Sequence, residues 1–293
     1  MVAGDVTRII EMRSRYDASL QAAALRMPPG RPSQPLPLIF APHPFGWSVD
    51  EDYHGGCSGL RAASHQGWLE VATRMQVAVL QPFGHHRRVA GCSVGYEGGV
   101  NDVPDWVSAV NEHVPIDRDR VYACGLSMGG LECLLAVGRY PGIFAAAFVF
   151  NPVVDLASWH DDLAATAVSD LANEGNDALI VEEVGALPSE DPVAYRARSA
   201  SSLVASLGQV PLTIWWSRLD AVVPRQVERH GKWLYDAIKD GDPGAPVSEY
   251  EHSGRYRLDD PPSADQCWAI HETADYAFAT HWLLLHRRSG HRP

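Results

Sequence analysis

A strand, a tight turn and a helix follow one another over residues 119–140, and this pattern restricts the fold more than any other feature of the sequence. Residues 121–124 are apolar β-formers, and the residues after the turn are apolar at helical spacing until Pro141. The turn itself reads Gly125-Leu126-Ser127-Met128-Gly129. Side chains at the two glycines would collide with the strand and the helix, so the pattern predicts that Ser127 projects from a strained turn. The dipole of the following helix favours negative charge there.

Apolar strand candidates alternate with helix candidates over the rest of the chain. The strand candidates lie at 36–42, 77–81, 121–124, 145–150, 212–216 and 247–250, and helix candidates lie at 68–75, 103–113, 225–238 and about 269–287. This alternation predicts an α/β fold with a mainly parallel central sheet flanked by helices.

Two segments depart from this alternation. Residues 1–35 are predicted to form an N-terminal amphipathic helix, over 5–26, and a Pro-rich linker, which leaves 36–293 as the α/β domain. Residues 155–200 are rich in Ala, Glu and Asp. They are predicted to form either a small helical cap over the active site or a surface insertion without a functional role.

Composition limits the classes of partner and compartment. The net charge of −12 argues against nucleic acid or an anionic membrane as the main partner. No apolar segment reaches the roughly 18–20 residues of a membrane helix. Charged residues such as Asp5 and Arg8 interrupt the apolar stretch that a secretory signal requires, so no such signal is expected. The five cysteines lack framework spacing, so a reducing, cytoplasmic location is expected. No metal site is expected, because the histidine and cysteine spacings match no common zinc pattern.

Two further polar residues follow predicted strands. Asp220 comes after the strand at 212–216, and His252 comes after the strand at 247–250. The carboxyl ends of parallel strands share one rim of a sheet, so Ser127, Asp220 and His252 are expected to meet there. A serine hydroxyl needs a base to take its proton, and a carboxylate orients the imidazole that acts as this base.

With Ser, Asp and His in this order, the chain resembles the α/β-hydrolase superfamily, and more closely the catalytic domain of the prolyl oligopeptidase family without its propeller. The likeness covers roughly residues 36–287. It rests on the segments at 120–130, 91–96, 101–103, 195–199, 210–214 and 220–224, the last of which reads Asp-Ala-Val-Val-Pro. The resemblance implies a Ser127-His252-Asp220 triad. His271 is the alternative base and Asp155 the alternative acid.

Two backbone amides are expected to stabilise the oxyanion. One is the N–H of Met128, directly after the nucleophile. The other comes from the loop at 42–47, in which Pro44 has no N–H. Phe45 is therefore the favoured second donor, with Trp47 as the alternative.

These expectations describe a serine hydrolase that cleaves a carboxylic ester through an acyl-enzyme, with a thioester or a short peptide as less favoured substrates. It needs no cofactor, and its partner is a small ester-type molecule. An acyltransferase or cyclase of a biosynthetic intermediate and a non-catalytic binding protein remain alternatives on the same fold. Oligomeric state stays open.

Overall fold

A computed structural model describes residues 6–45, 59–85, 92–165, 175–253, 270–271 and 273–288. Within these residues one sheet has eight strands: β1 (Val6–Arg13), β2 (Leu20–Met27), β3 (Leu36–Phe40), β4 (Ala78–Pro82), β5 (Ile116–Leu126), β6 (Ala146–Phe150), β7 (Leu212–Trp216) and β8 (Val247–Glu251). The helices are α1 (Gly59–Met75), α2 (Glu97–Asn101), α3 (Val103–His113), α4 (Met128–Arg139), α5 (Leu156–Ala165), α6 (Asn176–Val184), α7 (Pro192–Ala197), α8 (Val204–Leu207), α9 (Gln226–Arg229), α10 (Gly231–Gly241) and α11 (Tyr276–Leu283).

The strand order across the sheet is β1-β2-β4-β3-β5-β6-β7-β8. The pairs β1/β2 and β2/β4 are antiparallel, and every other neighbouring pair is parallel. The six predicted strands correspond to β3 to β8. The predicted α/β fold with a mainly parallel sheet flanked by helices is therefore confirmed.

Helices cover both faces of the sheet, which explains why the central strands are apolar without alternation. In β6, Phe148 and Phe150 belong to the core beneath α1 and α11, whereas Ala147 and Val149 belong to the larger core on the α4 side. All four side chains are fully buried.

The predicted N-terminal helix at 5–26 is wrong. The segment forms the β1–β2 hairpin, which is part of the same sheet rather than a separate unit. The last five residues of β2 are buried, because β2 pairs with β4 as well as β1 and is covered on both faces. Because consecutive residues of β2 are buried on both faces of the sheet, the sequence lacks the two-residue alternation that identifies a strand. The apolar pattern that remains is compatible with a helix.

The strand register sets the geometry of the site. Leu126 of β5 pairs with Phe150 of β6, Phe150 pairs with Trp215 of β7, and Trp216 pairs with Glu251 of β8. The residues that follow these strand ends therefore emerge side by side at one rim. Among the residues placed by the structure, no helix has the length and apolarity needed to cross a bilayer.

Candidate active site

Ser127 occupies the turn between β5 and α4 with backbone angles of φ 59° and ψ −123°. A positive φ is costly for a residue with a side chain, and such strain persists only where the surroundings enforce it. Here the Ser127 amide donates to the Phe150 carbonyl at 3.0 Å, and the Ser127 carbonyl accepts from the Leu131 amide at 3.0 Å. The predicted strained turn at Ser127 is thus present.

The two glycines of the motif are required by close backbone approaches. A Cβ on Gly125 would lie 2.4 Å from the Gly129 carbonyl oxygen, inside the turn itself. A Cβ on Gly129 would lie 2.3 Å from the Pro42 carbonyl oxygen, at the end of β3. The missing side chain at Gly129 therefore lets the loop after β3 lie directly against the start of α4.

Asp220 lies in the loop after β7 and accepts three hydrogen bonds. Its Oδ1 accepts from the amides of Val222 at 2.9 Å and Val223 at 3.0 Å, and its Oδ2 lies 2.9 Å from Nδ1 of His271. The side chains of Asp220 and His271 are 0% and 3% exposed. Because a carboxylate only accepts, the hydrogen-bond pattern assigns the proton to His271 Nδ1 and makes Nε2 the acceptor.

His252 emerges directly after β8, as expected, but a hydrogen bond of its ring goes to a residue other than Asp220. Its Nε2 lies 3.2 Å from Oδ1 of Asn151, the residue after β6. Burial lowers the pKa of His252 to about 4, in spite of the nearby Asp220 charge. The structure therefore brings Asp220 together with His271, the alternative base of the sequence analysis.

The sequence predicts that the last helix begins near residue 269, and this makes His271 the less favoured histidine. In the structure that helix, α11, begins at Tyr276, and His271 lies in an earlier helical turn. The sequence does carry a signal for this boundary. The carboxylate of Asp275 accepts from the amide of Phe278, the N-cap arrangement that Asp favours.

The expected oxyanion donors lie on the two segments that Gly129 brings together. Met128 is the first residue of α4, and Phe45 lies in the loop after β3. The ring of His43 holds this loop, with Nδ1 2.8 Å from the Pro44 carbonyl oxygen and Nε2 3.2 Å from that of Phe83. Trp47, the alternative donor, falls outside the described residues.

The segment at 155–200 contains three helices among its described residues, α5, α6 and α7. Through Trp159, helix α5 contacts the loop after β3 and the loop after β7. The Trp159 ring packs edge-on against Phe45 at 5.4 Å between centroids, and its Nε1 donates to the Val222 carbonyl at 3.0 Å. Residues 166–174 of the predicted cap lie outside the described residues.

Asp155, the alternative acid, accepts hydrogen bonds from two serine residues, and neither bond involves His252 or His271. Its Oδ1 accepts from the amide of Ser158 at 2.9 Å, and its Oδ2 accepts from the Ser201 hydroxyl at 2.8 Å. Burial would raise the pKa of Asp155, but these hydrogen bonds outweigh it and lower the pKa. In this arrangement Asp155 caps the start of α5.

Asn151 is a site residue that the sequence analysis did not identify. It is fully buried, and its Nδ2 donates to the carbonyl oxygen of His271 at 2.7 Å. Its one signal in the sequence is its position after a predicted strand, the same signal that identified Asp220 and His252. An amide carries no charge to titrate, so nothing in the pattern marked it as functional.

Comparison with known proteins supports the same fold. Residues 96–226 match the sequence model of the Prolyl oligopeptidase family, a span that contains Ser127 and Asp220. The chain therefore has the α/β-hydrolase fold, and its residues 96–226, a little under half of the chain, resemble the Prolyl oligopeptidase family in sequence. No curated protein matches the chain by sequence.

Solved structures with this fold include peptidases and an S-formylglutathione hydrolase. An acylaminoacyl peptidase from Pyrococcus horikoshii aligns with a TM-score of 0.62 at 14% identity, covering 86% of this chain and 37% of that one. A putative dipeptidyl aminopeptidase IV from Bacteroides ovatus gives 0.61 at 16% identity, covering 96% and 36%. The chain thus spans little more than a third of either peptidase. An S-formylglutathione hydrolase from Agrobacterium tumefaciens gives 0.59 at 16% identity, covering 97% and 96%.

Proposed function

We propose that this chain hydrolyses a carboxylic ester through an acyl-enzyme formed on Ser127, with His271 as the base and Asp220 as the residue that orients it. The observation that carries the proposal is the 2.9 Å contact between Asp220 Oδ2 and His271 Nδ1. It unites a buried carboxylate with an imidazole whose other nitrogen is left as an acceptor, and this is the tautomer that a general base requires.

The strained turn at Ser127 gives the second support. The turn places the hydroxyl at the N-terminus of α4, where the Met128 amide is one proposed oxyanion donor and the Phe45 amide the other. Each such donor is worth roughly 3–4 kcal/mol of the activation barrier. His252 is a weaker candidate for the base, because an imidazole with a pKa of about 4 has little affinity for the serine proton.

The reaction follows from these roles. Ser127 Oγ attacks the ester carbonyl carbon while its proton moves to Nε2 of His271, and the amides of Met128 and Phe45 hold the oxyanion. The bond from carbon to the leaving oxygen then breaks, and His271 gives its proton to that oxygen. Water attacks the acyl-enzyme by the same route, which releases the acid and restores the Ser127 hydroxyl.

An ester or thioester is proposed over a peptide because of the lengths of the related structures. The S-formylglutathione hydrolase is matched along 96% of its own length, whereas the two peptidases are matched over 37% and 36% of theirs. The name of that hydrolase specifies a thioester.

The test is labelling with a fluorophosphonate probe together with hydrolysis of p-nitrophenyl esters. Ser127→Ala is expected to remove the label, and His271→Ala to lower kcat by about 1,000-fold or more, because the base is lost. His281→Ala, which changes an exposed histidine of α11, is the matched control and should keep full activity.

Persistent labelling of Ser127→Ala would refute the nucleophile. Full activity in His271→Ala with none in His252→Ala would transfer the base to His252. An added alcohol that diverts most of the acyl group would identify an acyltransferase instead.

A further inference from the structure

A row of buried polar groups connects the end of β8 to the segment that carries His271. Asn151 Oδ1 lies 3.2 Å from His252 Nε2, and Asn151 Nδ2 lies 2.7 Å from the His271 carbonyl oxygen and 3.4 Å from that of Ile270. Asn151, His252 and His271 are 0%, 7% and 2% exposed. Hydrogen bonds at such depth are strong, and an incorrectly paired group there is costly.

The hydrogen-bond pattern fixes the direction of every donor in this row. The two carbonyl oxygens only accept, so the NH2 end of the Asn151 amide faces them and Oδ1 faces His252. His252 must then donate, which assigns its proton to Nε2. Asp220, Glu251 and His271 act electrostatically on this ring, and burial keeps it neutral by lowering its pKa to about 4.

The sheet holds both ends of the row in place. The Asn151 amide donates to the Trp215 carbonyl at 2.7 Å, and the His252 amide donates to the Trp216 carbonyl at 2.9 Å. Asn151 has a φ of 39°, a left-handed conformation that asparagine tolerates better than most residues. This backbone geometry lets its side chain reach the histidine segment from the strand end.

We propose that Asn151 is a positioning residue for the base His271, and that His252 serves the same site by fixing the orientation of the Asn151 amide. The inference rests on the proposed function. Asp220 holds the imidazole through Nδ1, and Asn151 holds the main chain of the same residue through its carbonyl. Two holding points define the ring position, and a displacement near 1 Å is enough to cost about 100-fold in rate.

Asn151→Asp tests the proposal without changing the shape of the side chain. It puts an oxygen against the His271 carbonyl in place of a donor, so kcat is expected to fall by about 10- to 100-fold with KM within about threefold. The readout is the kcat-against-KM split, because a loss of positioning lowers kcat and leaves substrate binding in place. An unchanged kcat would overturn the proposal.

A second pair of variants isolates the donor on His252. His252→Gln keeps an N–H group at the end of the side chain, whereas His252→Phe keeps a ring and removes the donor. We expect His252→Gln to keep at least about half of kcat and His252→Phe to lose about tenfold or more. Equal kcat in the two variants, with folding of both verified by urea unfolding, would overturn the proposal even if Asn151→Asp fails to fold.

Failure of this inference is distinguishable from failure of the proposed function. If Ser127→Ala and His271→Ala are inactive while Asn151→Asp and His252→Phe behave as the parent protein, the triad stands and the positioning role falls. If His271→Ala is active, both fall together.

Discussion

Gly125 and Gly129 permit the strained turn at Ser127, because a side chain at either position would collide with the backbone. They also allow the segments that carry the proposed oxyanion donors to lie close together. A Cβ at Gly129 would lie 2.3 Å from the Pro42 carbonyl oxygen and 3.0 Å from that of His43. The Pro42 and His43 oxygens belong to the backbone, so they cannot move aside as the end of a flexible side chain could. A substitution at Gly129 must therefore separate α4 from the loop that carries Phe45.

Gly129→Ala is expected to lower kcat/KM by at least about 100-fold, because displacing the loop by 1 Å or less misaligns an oxyanion donor. Gly142→Ala is the matched control, since a Cβ at Gly142 meets no atom within 4 Å. Ester hydrolysis by the two purified variants provides the measurement. Equal activity in both would contradict the role assigned to this close approach.

At the scale of elements, the β1–β2 hairpin is held by a cluster of Asp17, His85 and Asp102. The His85 ring lies 3.0 Å from Asp17 Oδ2 and 2.9 Å from Asp102 Oδ2, and the Ser14 hydroxyl donates to Asp102 Oδ1 at 2.6 Å. The cluster connects the hairpin turn to the residue before α3. Burial opposes charge on the ring, but the hydrogen bonds to Asp102 and Asp17 outweigh it and raise the pKa of His85.

His85→Gln is therefore expected to destabilise the protein in a pH-dependent manner. A pKa that is higher in the folded chain means that the protonated ring stabilises the fold. This contribution is complete below the pKa of about 6.5 in the unfolded chain and disappears as pH rises through the pKa in the folded chain.

Urea unfolding should show that the free energy of unfolding falls by about 1 kcal/mol near pH 6, and that this loss shrinks towards pH 9. The control His113→Gln, at an exposed position of α3, should show no such trend. A pH-independent loss in His85→Gln would contradict the cluster's role.

At the scale of the whole molecule, the sheet depends on helices on both faces, and α11 closes the smaller core. Ala279 and Leu283 of α11 are fully buried in the cluster that contains Phe148 and Phe150. The following segment is fixed to the sheet as well, since the Tyr122 hydroxyl donates to the His286 carbonyl at 2.7 Å. The position of α11 is thus set by tertiary packing.

Ala279→Glu is expected to lower the free energy of unfolding by several kcal/mol, because it places a carboxylate against a sealed apolar face. Ala277→Glu makes the same change at an exposed position of the same helix and should cost no more than about 0.5 kcal/mol. Thermal or urea unfolding compares the two variants. Similar stabilities would show that α11 does not seal this face.

Much of the fold could be predicted because its signals are local. The strands β3 to β8, helix α3 and the strained turn at Ser127 each follow from apolar spacing, glycines and prolines within short windows. The hairpin could not be predicted in this way. The pairing of β2 with β4 joins residues far apart in the chain, and the burial that results erases the alternation by which a strand is recognised.

Local sequence signals are enough to predict the α/β fold, the nucleophile candidate Ser127 and the carboxylate candidate Asp220, because each depends on residues adjacent in the chain. Which histidine lies beside Asp220 follows only from the folded arrangement. Both His252 and His271 come after Asp220, and the choice depends on the path of the chain between them and on the carbonyls that Asn151 holds. Such contacts form only when the ends of β6, β7 and β8 are aligned by the sheet.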